Sequence, residues 1–224
     1  MIDYTLIRTK RKTVAIYIRD GRVEVRAPMK MAKHDIDRFV MSKEKWITEK
    51  LAITSERAAQ RESFTLDYGS LITYRGKQYQ IESREGKRAG FDGERYYMPP
   101  NLTPEQIKET SVRIYRMLAK RDLTNRTIVF ARAMSVNPTT VRITGARTRW
   151  GSCSGKKSIN FSWRLIMADD DVIDYVVVHE LAHLTEMNHS AHFWKIVESV
   201  LPDYTERRKR LKELQRKLTV EDWD

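Results

Sequence analysis

Apolar and polar residues alternate in two short runs near the start of the chain, 13–18 and 22–27, on either side of Asp20-Gly21. A period of two turns one face of each run toward a core, and Asp-Gly suits a tight two-residue turn, so the pattern predicts an N-terminal β-hairpin. After Pro28 the apolar residues Ile36, Phe39, Val40, Ile47 and Leu51 recur at three- and four-residue steps with charges between them. That period predicts one amphipathic helix over 33–60, with Trp46 packed on its apolar stripe. Between 64 and 98 the chain returns to short strand-like runs, LITYR and KQYQIES, broken by Tyr68-Gly69, Arg75-Gly76, Glu85-Gly86 and Asp92-Gly93. These predict a small twisted sheet.

Pro99-Pro100 stops strands and helices alike and marks the expected boundary between a hairpin, helix and small-sheet region (1–100) and a second domain (101–224). Thr103 then caps a helix opened by Pro104 and running through Ile107, Ile114, Tyr115 and Leu118 to about Ala133. Asn137-Pro138 ends it, and 140–144, 147–151 and 158–163 read as three short strands. Asp169, Asp170 and Asp171 supply an N-cap and favourable negative charge for a helix entering at Val172. A basic amphipathic helix over 206–218 packs Leu211, Leu214 and Leu218 inward. The expected class is α+β, with a short, mostly antiparallel sheet packed on helices and a β-rich region before it.

Composition narrows this picture. The chain has 224 residues, 41% of them hydrophobic, enough for a substantial core. It has no signal-like N-terminal apolar run and no stretch of the ~18 apolar residues a membrane span needs, so neither secretion nor membrane insertion is expected. Cys153 is the single cysteine, so no intramolecular disulfide forms and a cytoplasmic setting is expected. Lys and Arg number 42 against 30 Asp and Glu, a net charge of +12, which keeps nucleic acid or a nucleotide open as a partner. The excess is dispersed, however, and spells out no binding code.

The chemistry is concentrated in VVVHELAHLTEMNHSAHFW, where four of the five histidines fall within 14 residues. On a helix His179 and His183 lie one turn apart on one face, suited to two tetrahedral positions of Zn2+. Glu180 lies beside them, able to take a proton from a zinc-bound water and pass it to a leaving amine, as in the H-E-x-x-H motif. The apolar flanks, VIDYVVV before the motif and Leu181, Ala182 and Leu184 in and after it, describe a helix buried in a core. His189, six residues past His183, is the leading third ligand, with two rivals: Glu186 on the same helical face, able to ligate directly or to orient a ligand, and Glu198 on the next helix. Glu186 stands where the longer H-E-x-x-H-x-x-G-x-x-H pattern has glycine, so the turn is expected at Asn188 in left-handed backbone, with Ser190 capping the next helix. His192 reads as a surface or rim residue, and His34 as solvent-exposed.

With RTRWGSCS at 147–154, WRL at 163–165, VVVHELAHL at 176–184 and NHSAHFW at 188–194, the chain resembles the YgjP-like metallopeptidase family, relatives of SprT-like and WLM-type zincins. The resemblance implies a zincin-like catalytic domain, ligands at His179, His183 and His189, and a catalytic glutamate at Glu180. It also makes RTRWGSCS a substrate edge, since a strand along a zincin cleft binds extended peptide through its backbone. Arg149 and Arg164 become substrate-binding candidates, against a structural role pairing with acids such as Asp174. Cys153 is either a fourth ligand in a latent state or a buried core thiol, and Trp150, Trp163 and Trp194 are expected in the core. For the oxyanion, Tyr204 is the first candidate and Arg149 the second.

The function expected is therefore a zinc-dependent metallopeptidase, a metalloendopeptidase acting on peptide or protein through metal-bound water activated by glutamate. The alternatives are a metal-dependent phosphoanhydride (nucleotide) hydrolase and a DNA-associated zinc module, the latter having no use for Glu180.

Overall fold

The computed structural model describes residues 2–19 and 21–223. Its backbone falls into two compact units, one running to Phe64 and including Thr219–Asp222, the other Thr65–Leu218 with Trp223. No helix among the described residues is long and apolar enough to cross a membrane.

In the first unit β1 (Thr5–Thr9), β2 (Ala15–Arg19) and β3 (Arg22–Pro28) form a sheet of order β1-β3-β2, with β1 parallel and β2 antiparallel to β3. Asp20 of the expected hairpin turn lies outside the described residues, but Arg19 and Arg22 pair across it. Alternation places Val23, Val25 and Ala27 on the buried face, against Ile36, Val40 and Ile47. The expected single helix is two, α1 (Lys33–Ser42) and α2 (Glu44–Glu62), broken where Lys43 leaves helical geometry at φ −110 and ψ 9. Beyond the break Ile47 is the buried residue of α2, so Trp46, about 100° around the helix, turns outward and is 42% exposed. The apolar stripe is narrower than the sequence period suggested.

The second unit holds two further sheets. β4 (Leu71–Tyr74), β5 (Lys77–Ser83), β6 (Gly90–Phe91) and β7 (Tyr96–Met98) run in the order β4-β5-β7-β6. β8 (Thr140–Thr144), β9 (Gly151–Cys153) and β10 (Ser158–Ser162) run in the order β8-β10-β9, with β10 parallel to β8 and antiparallel to β9. The expected strand 147–151 thus starts only at Gly151. Before it the backbone is pinned to β10, Ser162 N–H donating to the Trp150 carbonyl (2.8 Å) and its hydroxyl to the Ala146 carbonyl (2.7 Å).

The helices of this unit are α3 (Pro104–Ala133), α4 (Asp170–Ala182), α5 (Ala191–Val200) and α6 (Tyr204–Lys217). Thr103 and Gln106 cap α3 reciprocally, with Pro104 in its first turn, as the sequence predicts. α3 packs on α4 and on a 3-10 turn, Trp163–Met167, where Tyr115 stacks on Trp163 at 5.4 Å and Trp223 meets both edge-on. Nine of the 13 residues of α4 are buried, beneath α3, α5, α6 and β9. Burial overrides the strand preference of Val176, Val177 and Val178.

The start of α4 differs from expectation. Asp169 occupies the N-cap but makes no side-chain cap hydrogen bond, because the acids here engage arginines instead. Asp170 takes a two-pronged bond from Arg75 (2.5 and 2.6 Å) and another from Arg126, which also pairs with Asp174. Arg210 of α6 bonds Asp171 and Asp169. The β4–β5 turn, α3 and α6 therefore clamp one helix end, and the carboxylates face its positive pole.

The β4–β5 turn completes the clamp. Arg75 and Gly76 both have positive φ (50 and 73), the two-residue turn that fits strand twist, and their N–H groups donate to the Ile166 and Met167 carbonyls (2.8 and 3.3 Å). A Cβ on Gly76 would overlap the Asp169 carboxylate and lie 3.2 Å from its Cα. Gly76→Ala is therefore expected to lower stability by about 2 kcal/mol or more in urea unfolding, where Gly69→Ala, which is strained in backbone but meets only Gln80 Nε2 at 3.8 Å, lowers it by about 1 kcal/mol.

Candidate metal centre

α4 carries His179 and Glu180 and ends at Ala182, with His183 as its C-cap at φ −65 and ψ −15. The chain then leaves through a tightened turn. Leu184 and Thr185 N–H donate three residues back, to Leu181 (3.0 Å) and Ala182 (3.1 Å), and Glu186 N–H also reaches the Ala182 carbonyl (2.9 Å). No residue from 184 to 189 has positive φ, so Asn188 does not make the left-handed turn expected of it. Nor does Glu186 stand on the helical face of the histidines, because the helix stops before it. Its carbonyl instead accepts a hydrogen bond from His183 Nδ1 at 3.0 Å, which leaves His183 Nε2 as the lone-pair nitrogen. A tightened turn needs no glycine, which accounts for glutamate at this position. Ser190 then caps α5 as expected, accepting from Phe193 N–H at 3.3 Å.

This path brings His189 back over α4. Its Nε2 lies 3.1 Å from His179 Nε2, and one ring nitrogen from each of His179, His183 and His189 lies within 4.8 Å of the others. Two nitrogens bound at ~2.1 Å to one tetrahedral ion stand ~3.4 Å apart, so the three imidazoles fit a metal. Phe193 forms their apolar wall, its ring 4.5 to 4.9 Å from all three. The rival ligands fall outside the group: Glu198 is exposed on α5, and Glu186 contributes its backbone. His192 and His34 are exposed, the latter beside Asp35.

Burial tunes the charges. It pushes His179 down to about 3, helped by His183, His189 and Arg208, and it lowers His189 too, with His183 and Arg208 adding to the effect. His179 and His189 are thereby held neutral, the form of imidazole that ligates a metal. Burial pushes Glu180 up to about 8, with the Arg149 charge opposing. Glu180 Oε2 and His179 Nδ1 are buried polar atoms with no hydrogen-bond partner in the protein, as expected of groups awaiting an ion, a water or a substrate.

Gly151, at the start of β9, makes room for Glu180. A Cβ there would lie 2.5 Å from Glu180 Oε1 and 2.6 Å from its Cγ. Cys153, two residues on, is a half-buried thiol, raised by burial and by the Glu180 charge, and it stands outside the histidine group. Arg149 is exposed and its charge reaches Glu180. Arg164 has a different setting. It is buried, donates to the Gly145 carbonyl at 3.0 Å and lies over the Trp163 ring, while Asp174, once its expected partner, pairs with Arg126. Tyr204, first residue of α6, stacks on Trp194 at 5.3 Å.

Of the tryptophans expected in the core, Trp163 is fully buried and Trp150 half-buried. Trp194 borders the site instead, its ring 5.7 Å from His189 and 5.9 Å from His179. Sequence reasoning missed the roles of Phe193, Trp194, Gly151 and Arg208. The first two stood in plain view in NHSAHFW, where position on α5 decides which face meets the histidines. Gly151 and Arg208 meet the site only through tertiary packing.

Titration calorimetry with Zn2+ is expected to show one ion per chain, with affinity reduced at least tenfold in His179→Ala, His183→Ala and His189→Ala. Glu198→Gln and Glu186→Gln are expected to bind as the parent does.

The YgjP-like metallopeptidase domain model matches residues 12–214. Among solved structures, the metallopeptidase zymogen abylysin of Pyrococcus abyssi is similar at 22% identity and a TM-score of 0.38, over 45% of this chain and 98% of that one. The zymogen jannalysin of Methanocaldococcus jannaschii is similar at 17% identity and the same TM-score, over 41% and 95%. No curated protein sequence matches significantly. The family model spans nearly the whole chain and carries through the H-E-x-x-H helix and the third histidine, and the chain belongs to the YgjP-like metallopeptidase domain family.

Proposed function

We propose that the chain is a zinc-dependent endopeptidase in which Glu180 is the general base. The observation that carries this reading is the convergence of three imidazole nitrogens beside a buried glutamate whose Oε2 has no partner. His179, His183 and His189 would hold the ion, which when bound supplies a Lewis acid that polarises the scissile carbonyl and acidifies water. Three neutral nitrogen donors suit zinc.

Glu180, held in a dry pocket and pushed toward neutral pH, is matched to accept a proton from the attacking water and return it to the leaving amine nitrogen. β9 supports the peptide assignment. It is an edge strand with one partner, β10, and its first residue touches Glu180, so an extended peptide could pair along its open edge. Such an edge does not require a chain terminus, which favours internal cleavage. Tyr204 is assigned to the oxyanion, with Arg149 as the second candidate and as a substrate-binding group on the Glu180 side. The single cysteine supports a cytoplasmic setting.

The test is hydrolysis of unfolded protein and a peptide mixture by the zinc-loaded chain. Glu180→Gln is expected to cut turnover at least 10²-fold with the ion retained. Gly151→Ala, whose Cβ would displace the Glu180 carboxylate, is expected to lose about 10²-fold as well, again with unchanged zinc affinity. Phosphate release from nucleotides, dependent on Glu180 and with peptides untouched, would replace the peptidase reading.

A further inference from the structure

Four consecutive basic residues, 207–210, run along α6, and three of them are committed to carboxylates. Arg207 pairs with Asp203 (2.9 Å), Lys209 with Glu206 (3.0 Å) and Arg210 with Asp171 and Asp169. Arg208 has no carboxylate partner among the described residues. It is exposed, and its guanidinium lies 5.2 Å from the centre of the Trp194 ring. Trp194 is the ring that borders His179 and His189, and it also carries Tyr204, one helical turn before Arg208. The one member of this four-residue run without a carboxylate partner among the described residues is thus seated on the aromatic border of the metal centre.

Contact with an indole face restricts a guanidinium while leaving its outward N–H donors open, a fork that matches a carboxylate. The placement also has an electrostatic cost. An uncompensated positive charge here disfavours a cation at the histidines, and an anionic group bound to Arg208 relieves the repulsion.

We infer that Arg208 is a specificity-determining residue that binds a carboxylate of the peptide substrate, displayed near the scissile bond. This rests on the peptidase reading above and names the class of peptide taken. Internal cleavage makes it an acidic side chain; a preference for the free C-terminal carboxylate would instead mark cleavage near the chain end, and one set of probes separates the two.

The test uses the full chain, zinc-loaded and bearing Glu180→Gln so that bound peptides stay intact. Binding is read by fluorescence anisotropy with three versions of one labelled peptide: an internal Glu with an amidated end, Gln with a free C-terminal carboxylate, and Gln with an amidated end. With Arg208 present, one carboxylate-bearing peptide is expected to bind about fivefold tighter than the neutral one. Arg208→Gln is expected to remove the preference while leaving affinity for the neutral peptide and zinc stoichiometry unchanged, and Arg208→Lys to keep part of it. A preference equal in Arg208→Gln, no preference in the parent, or no binding of any peptide overturns the assignment. Cleavage by the chain with Glu180 intact is scored separately. Carboxylate-dependent binding without cleavage sinks the peptidase reading and leaves the Arg208 contact standing.

Discussion

Helix α4 has to carry two imidazoles and a carboxylate along a path buried by three helices and a strand, and the rest of the second unit follows from that constraint. Desolvation penalises charge, so His179 is held neutral and Glu180 is driven up to about 8. The same environment that makes these groups costly to the fold suits them to the metal binding and proton transfer proposed for them. Accommodating the carboxylate restricts β9 to glycine at its closest approach, since any Cβ at Gly151 would strike Glu180. The helix is held in place at its other end by Arg75, Arg126 and Arg210 on Asp169, Asp170, Asp171 and Asp174, away from the chemistry. Ion pairing is thus segregated from the end of the helix that carries His179 and Glu180.

The exit from α4 does as much for the site as the helix itself. Stopping at His183 and tightening through Leu184 and Thr185 lets the Glu186 carbonyl orient the His183 ring and returns the chain so that His189 meets His179. Ser190 then starts α5 at once, which places Phe193 under all three imidazoles and Trp194 at their border. Hydrogen bonds over eight residues, 183 to 190, therefore set the position of His189 against His179.

What the sequence made legible was local. The cap of α3 at Thr103, the cap of α5 at Ser190 and the H-E-x-x-H face of α4 are each written in residues a few positions apart, and each holds in the structure. Signals that depend on which neighbour competes for a group were misread. The aspartates 169 to 171 are sound helix-start residues, but arginines distant in sequence take their carboxylates. Glu186 suggested a side-chain ligand, whereas its carbonyl is the part the site uses. The break at Lys43 has no proline or glycine to announce it, and it turns Trp46 outward. Arg208 was one of four basic residues in a row, and only the partners of the other three set it apart.

Under the proposed function three imidazoles, and no other side chain, hold the ion. X-ray absorption at the zinc edge of the loaded protein addresses it most directly. Three nitrogen scatterers at ~2.0–2.1 Å are expected, with the remaining position filled by oxygen. A sulfur scatterer at ~2.3 Å, which could only be Cys153 or a methionine, or a first shell with fewer than three imidazoles, would contradict it.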